Sequence, residues 1–376
     1  MTDRKLVLLG VIAAAMVILA VVTSNVPEKR GGGVSKPSYL VQGVDPDNIA
    51  GIQVVSGDNT VTLKRKKGQF VVDEKSGYPA LAGKINGLVS DVMDIKTVEL
   101  CTDNASNHAD LSVTEDKAET VVKFFNPDGT ELTGVIIGKE KEQGQGTFVR
   151  LISDDRVYLT LDRQYLPADP ISYVDQNLIA VERENIDSVK VADKQNGTYT
   201  LSKNENGKIV LEDMPEDTKL KDAEASKVFN MLSSLRFEDV VKEGAKDLSF
   251  DKKYVCNMKD STRYTLDIAQ ADDKTYVKVS AAYTDDSKIT VTRGGNESEE
   301  ELKAKEEKLL ARDNAVKFEQ EHNGWVYQLP SYLAGGLTKN VEDLIEVKPE
   351  EKPAEPKEQS APADAGGQTE AAEEPA

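Results

Sequence analysis

The feature that most constrains this chain is an internal duplication. Asn48-Ile49 opens the stretch NIAGIQVV, and Asn185-Ile186 opens NIDSVKVA. The tripeptide Asp110-Leu111-Ser112 returns as Asp247-Leu248-Ser249 at the same offset. Two anchors at one offset are hard to obtain by chance, and such self-similarity is read as one structural unit built twice. The pattern between the anchors agrees. Ile52, Val54, Val61, Leu63, Phe70 and Val72 alternate with polar residues, as do Val189, Val191, Tyr199, Leu201, Ile209 and Leu211. Alternation at period two predicts half-buried strands, with Ser56-Gly57-Asp58-Asn59 and Asn196-Gly197 as turns.

A helix follows in each copy. Leu81, Ile85, Leu88, Val89 and Val92 keep helical spacing, and so do Val228, Phe229, Leu232 and Leu235, with Asp222 as a candidate N-cap. More strands come after each DLS tripeptide. Both copies close alike, on VYLT then VDQNLIAV, and on VYQL then VEDLIEV. The second copy is longer. Its additional residues begin with a capping box, Ser298 and Glu301, and run on as a highly charged helix to about Glu321. Leu302, Leu309 and Val316 stand seven apart on that helix. They make a narrow seam that either lies on the sheet or docks a partner.

The expected fold class is α+β: two homologous modules, each an antiparallel sheet with a packed helix, after an N-terminal transmembrane helix. The transmembrane helix is read from Leu6–Val22, an apolar run behind Arg4 and Lys5 and about the minimum length to span a bilayer core. The predicted order is an anchor at 1–27, a linker at 28–43 and modules at 44–180 and 181–347, the second carrying the charged helix at about 296–321. An acidic Pro/Ala/Glu tail at 348–376 has too little apolar content to fold. The location this predicts is the cytoplasmic membrane, single-pass, with the body on its outer side. A formal net charge of −19 excludes the basic surface that nucleic acid requires.

The closing stretch AKEEKLLARDNAVKFEQEHNGWVYQLPSYLAGGLTKNVEDLIE resembles the bacterial domain-of-unknown-function family 4340. Trp325, Val326, Tyr327, Pro330, Ser331, Tyr332, Leu337, Asp343 and Leu344 stand at its signature positions. Asp45-Pro46-Asp47, LTGVIIGKE and FVRLISDDRVYLT agree as well. The likeness runs over nearly all of Val44 to Val347. It departs at Asp110-Leu111, where members often carry a glycine-leucine pair. The resemblance implies a single anchor, a duplicated α+β body outside the cytoplasm, and frequent association with ABC-type exporters, including the gliding-motility auxiliary class. It supplies no catalytic residue.

The residues themselves point to no catalytic, cofactor or metal site. His108 and His322 each stand in a polar stretch and read as surface histidines. Cys101 and Cys256 fit neither a redox nor a zinc spacing; they read as two buried thiols, with a disulfide as the alternative. Asp154-Asp155, Asp272-Asp273 and Asp285-Asp286 read as turns rather than calcium ligands. Trp325, Tyr327 and Tyr332 form the densest aromatic group, either as core or as a stacking platform for sugar or peptide. The expected function is a non-enzymatic accessory or scaffold protein of an ABC-type export or envelope system. The candidate surface is Trp325, Tyr327, Tyr332, Leu302, Leu309 and Val316, and the candidate partners are the membrane and transporter subunits. The alternatives are a binding module for an envelope polymer or small molecule, and then a hydrolase.

Overall fold

The computed structural model describes residues 38–287 and 298–347. Its first half builds β1 (Gly51–Ser56), β2 (Asn59–Lys66), β3 (Gln69–Val72), β4 (Tyr78–Pro79), β5 (Glu99–Thr102), β6 (Thr120–Phe125), β7 (Glu131–Glu140), β8 (Thr147–Leu151) and β9 (Val157–Thr160), with helix α1 (Ala82–Met93) between β4 and β5. These nine strands form one antiparallel sheet in the order β4-β3-β2-β1-β6-β7-β8-β9-β5. The second half builds β10 (Ile186–Asp193), β11 (Gly197–Lys203), β12 (Ile209–Leu211), β13 (Asp239–Lys242), β14 (Lys252–Met258), β15 (Thr262–Ala271), β16 (Lys274–Tyr283) and β17 (Trp325–Leu329). Their order is β12-β11-β10-β14-β15-β16-β17-β13, so the two sheets share one strand order, with β4 additional in the first. Helix α2 (Asp222–Phe229) stands where α1 does. Helices α3 (Glu299–His322), α4 (Ser331–Leu337) and α5 (Val341–Leu344) complete the chain.

The α+β expectation is corrected. Antiparallel strand dominates, in two large sheets and three two-stranded ribbons, because period-two alternation runs through most of both halves. The helices equivalent in the two halves, α1 and α2, are short. The expected transmembrane helix and membrane location find no support either. Leu6–Val22 lies outside the described residues, as does the tail, and among the described residues no helix is long and apolar enough to cross a membrane. Among the described residues the longest helix, α3, is mostly charged. Residues 38–41, read as linker, belong to the fold: Ser38–Tyr39 pairs with Lys96–Thr97, and Leu40 and Val41 are buried.

Local chemistry accounts for the hairpins. Gly57 supplies a positive φ of 56° in the two-residue loop between β1 and β2. Asp272 and Asp273 both take positive φ between β15 and β16, the conformation that a primed hairpin turn demands and that Asp tolerates. Asp222 is not the N-cap of α2. That place falls to Lys221, and Asp222 opens the helix beside the macrodipole's positive end.

One continuous core runs through both halves, from Ile52, Leu63, Ile85 and Leu88 to Val189, Leu201, Val228 and Leu266. Each sheet also has a covered outer face, and the repeated tripeptide covers it. Leu111 packs on Val121, Ile136 and Phe148, while Leu248 packs on Ala269, Tyr276 and Val326. The first crossing is close enough to require a glycine: a Cβ on Gly138 of β7 would stand 2.4 Å from the Leu111 carbonyl.

Candidate functional site

Helix α3 begins at the capping box that the sequence predicts. Glu301 N donates to Ser298 Oγ at 3.2 Å, and Ser298 N donates to Glu301 Oε2 at 3.1 Å. The helix lies along β16. Ala311 and Ala315 are buried and let its backbone approach the sheet, and Phe318 meets Tyr264 edge-on at 5.3 Å. Glu319 accepts a hydrogen bond from Ala281 N at 3.1 Å, and Lys308 pairs with Asp285 at 2.7 Å. The seam points the other way. Leu302, Leu309 and Val316 are exposed, at 46%, 41% and 50%, and Leu310 at 59%. Beside Leu310 alone, a groove of about 600 Å³ separates α3 from the ends of β10 and β14, lined also by Glu307, Asn314, Tyr264 and Lys259.

The three aromatic residues differ in burial. Tyr327 is fully buried, Trp325 is half-buried, and Tyr332, at the start of α4, is 77% exposed. Trp325 and Tyr327 join the two halves. The Tyr78 ring of β4 meets Trp325 edge-on at 4.9 Å, Phe237 at 6.0 Å and Tyr327 at 6.2 Å. Lys75 and Asp239 close the same junction with an ion pair at 2.6 Å. The aromatic series continues from Tyr327 through His322 and Phe318 to Tyr264, so α3 is packed onto the junction.

His322 is not a surface residue. Its Nδ1 shares a 2.7 Å hydrogen bond with Tyr327 Oη, and its ring stands 4.2 Å from that of Phe318. Burial holds the imidazole below its ordinary pKa, against the opposing charge of Glu321. Burial, followed by the neighbouring Tyr78, pushes the Tyr327 hydroxyl far up. His108 is buried as well, and its Nε2 donates to the Asp155 carbonyl at 2.8 Å. Near it the buried Arg150 guanidinium donates to the carbonyls of Val113, Leu151, Ile152 and Asp154. Both cysteines are free thiols. Cys256 is buried, which pushes it up to about 12, and Cys101 is half-buried. Among the described residues no group of three or more His, Cys, Asp or Glu side chains is placed to hold a metal ion.

Sequence reasoning passes over Tyr78, Phe237, Lys75 and Asp239. Tyr78 stands beside a proline in a two-residue strand, and its partners lie far along the chain, so no periodicity marks it.

The fold therefore defines a strand-dominated protein of two like-ordered sheets joined by an aromatic junction, with one long helix presented to solvent. The chain belongs to the family described as Domain of unknown function (DUF4340), whose profile matches residues 71–267, just over half its length. Among curated proteins no match is found.

Proposed function

We propose that this protein is a non-enzymatic accessory or scaffold component that docks a protein partner on the outward face of α3. One observation supports this most. A 24-residue helix packs on its sheet through alanines and aromatics while turning Leu302, Leu309, Leu310 and Val316 to solvent. Apolar side chains repeated along one exposed face of a helix are what helix-in-groove and helix-on-helix recognition use. We read residues 44–180 and 181–347 as two homologous modules, a division supported by the common strand order. The junction then serves to hold α3 rigid while it is presented. The family resemblance points to subunits of an ABC-type exporter as the partner.

A photo-cross-linking residue at Leu309 tests this in cells that make the full-length protein. The expected result is a cross-link to an exporter subunit, lost when the cross-linker is moved to Asp58 on the far hairpin. Repeated recovery of the protein without such a subunit removes the exporter assignment. Equal labelling from both positions removes α3 as the docking face.

A further inference from the structure

The helices α1 and α2 are equivalent, yet only one of them is covered. The residues correspond by their buried positions: Ile85, Leu88 and Val92 of α1 match Ala225, Val228 and Leu232 at and after α2. Their entries agree too. Leu81 N donates to the Tyr173 carbonyl, and Lys221 N to the Leu344 carbonyl, both at 2.8 Å. Lys84, Gly87 and Asp91 therefore match Glu224, Lys227 and Met231.

In the second half these three positions hold α4. Gly336 lies so close to Met231 that a Cβ there would stand 2.0 Å from the Met231 Cε, with the Lys227 carbonyl at 3.7 Å. Glu224 pairs with Lys339, just after α4, at 2.8 Å. Ala334, Gly336 and Leu337 of α4 are buried as a result.

In the first half the same three positions line an open cleft of about 510 Å³, between α1 and the segment running from Tyr165 to Asn177, with Arg236 at its side. No helix forms in that segment before Pro170. A Cβ added to Gly83 or Gly87 would meet nothing within 4 Å, so the fold itself does not require either glycine. A glycine inside a helix is tolerated at a cost of about 1 kcal/mol against alanine, and a bare backbone face suits the close approach of another chain.

We infer that this cleft is a peptide-binding site, taking a short helical segment of a protein partner in the place that α4 fills in the second half. The segment sets a small residue against Gly87, as Gly336 is set beside the Lys227 carbonyl. The ionic contact is reversed. Where Glu224 receives Lys339, Lys84 offers a cation, so the segment carries a carboxylate at that point; the other charged groups lining the cleft are Arg236, Asp91 and Asp175. This site is separate from the outward face of α3 and does not depend on it.

The probe is a fluorescent synthetic peptide with the sequence of residues 330–340 carrying Lys339→Glu, titrated into the full-length protein. The expected result is a saturable rise in polarisation. Lys84→Glu lowers affinity for the probe by about tenfold or more, and the peptide with its native Lys339 regains binding to the Lys84→Glu protein. Gly87→Leu also lowers affinity, while its urea midpoint stays at or above that of the parent, because the new side chain enters open space on a helix. Absence of saturable binding up to about 1 mM probe overturns the inference. So does binding that neither variant weakens, which places the peptide elsewhere. A melting-temperature rise with small metabolites but none with the peptide overturns it in favour of a small-molecule site.

Discussion

The two halves differ most where the strands of one equivalent hairpin are joined. In the first half β8 passes to β9 through residues 152–156, and the turn is tied from inside. Arg150 donates to four carbonyls around it, and His108 donates to a fifth. In the second half β16 passes to β17 through the segment that carries α3, and there the equivalent space belongs to a helix and an aromatic junction. The same strand order thus accepts a closed turn or an open arm. What it needs is that the backbone polar groups at the end of the hairpin be satisfied by some means. The buried guanidinium is the mark of the closed solution; the seam on α3 is the mark of the open one.

Removing the closed solution should have the largest effect. Arg150→Met leaves the carbonyls of Val113 and Ile152 without their donor, and about 4 kcal/mol of stability should be lost in urea titration. Hydrogen exchange should quicken around Ser153 and leave α3 unchanged. A uniform quickening would show that the two connections are not independent. Tyr78→Ala should cost about 3 kcal/mol, the usual range for emptying a buried aromatic site. The emission of Trp325, the single tryptophan, should also move to the red, since Tyr78 covers it. An unmoved spectrum would place the shielding of Trp325 elsewhere.

On the open side, Ala315→Glu puts a carboxylate against β16 and should cost about 2 kcal/mol, with loss of helical signal from α3. A smaller effect comes from pH. The folded pKa of His322 lies below its unfolded value near 6.5, so the unfolded chain binds the proton first. The stability His322 contributes is complete above pH 6.5 and is lost as pH falls through its folded pKa. Its immediate neighbours are Phe318 and Tyr327, with Glu321 the charged group acting against the shift. Glu224, held at about 2 by Lys227 and then Lys339, titrates well below this window. Melting between pH 7.5 and 5.5 should fall more for the parent than for His322→Phe; equal falls would assign the loss to other groups. The smallest effect on stability, within about 0.5 kcal/mol, is expected from Leu309→Ser, because that side chain already faces water. A drop of several kcal/mol would show that the seam is packed after all.

Much of the strand pattern is legible in the sequence. Val61 and Leu63 stand in register with Val54 and Ile52, and Tyr199 and Leu201 with Val191 and Val189, because alternation and turn residues act within a few positions. The capping box of α3 is legible for the same reason. The candidate surface is legible only in part. Leu302, Leu309 and Val316 stand on one stripe as their spacing says, but spacing does not reveal which stripe a sheet will cover. The helix carries Ala311, Ala315 and Phe318 on its other side, and small alanines bring a backbone close to a sheet as well as leucines fill a gap. Trp325, Tyr327 and Tyr332 read as one cluster because they are neighbours in the chain, yet a proline and a helix start turn Tyr332 away. His108 sits in a polar stretch and Arg150 inside the apolar run FVRLI, and nothing local announces that carbonyls from several turns will converge on Arg150.

The sequence by itself determined where the chain alternates, where it turns, where α3 begins, and that one pattern is written twice. Each of these depends on interactions between residues a few places apart. Only the tertiary structure decided which face of α3 meets the sheet, that Tyr78 and Trp325 join the halves, and that α4 fills a groove which α1 leaves open. Those outcomes depend on side chains far apart in sequence competing for the same buried volume, and burial is a property of the assembled fold rather than of any segment of it.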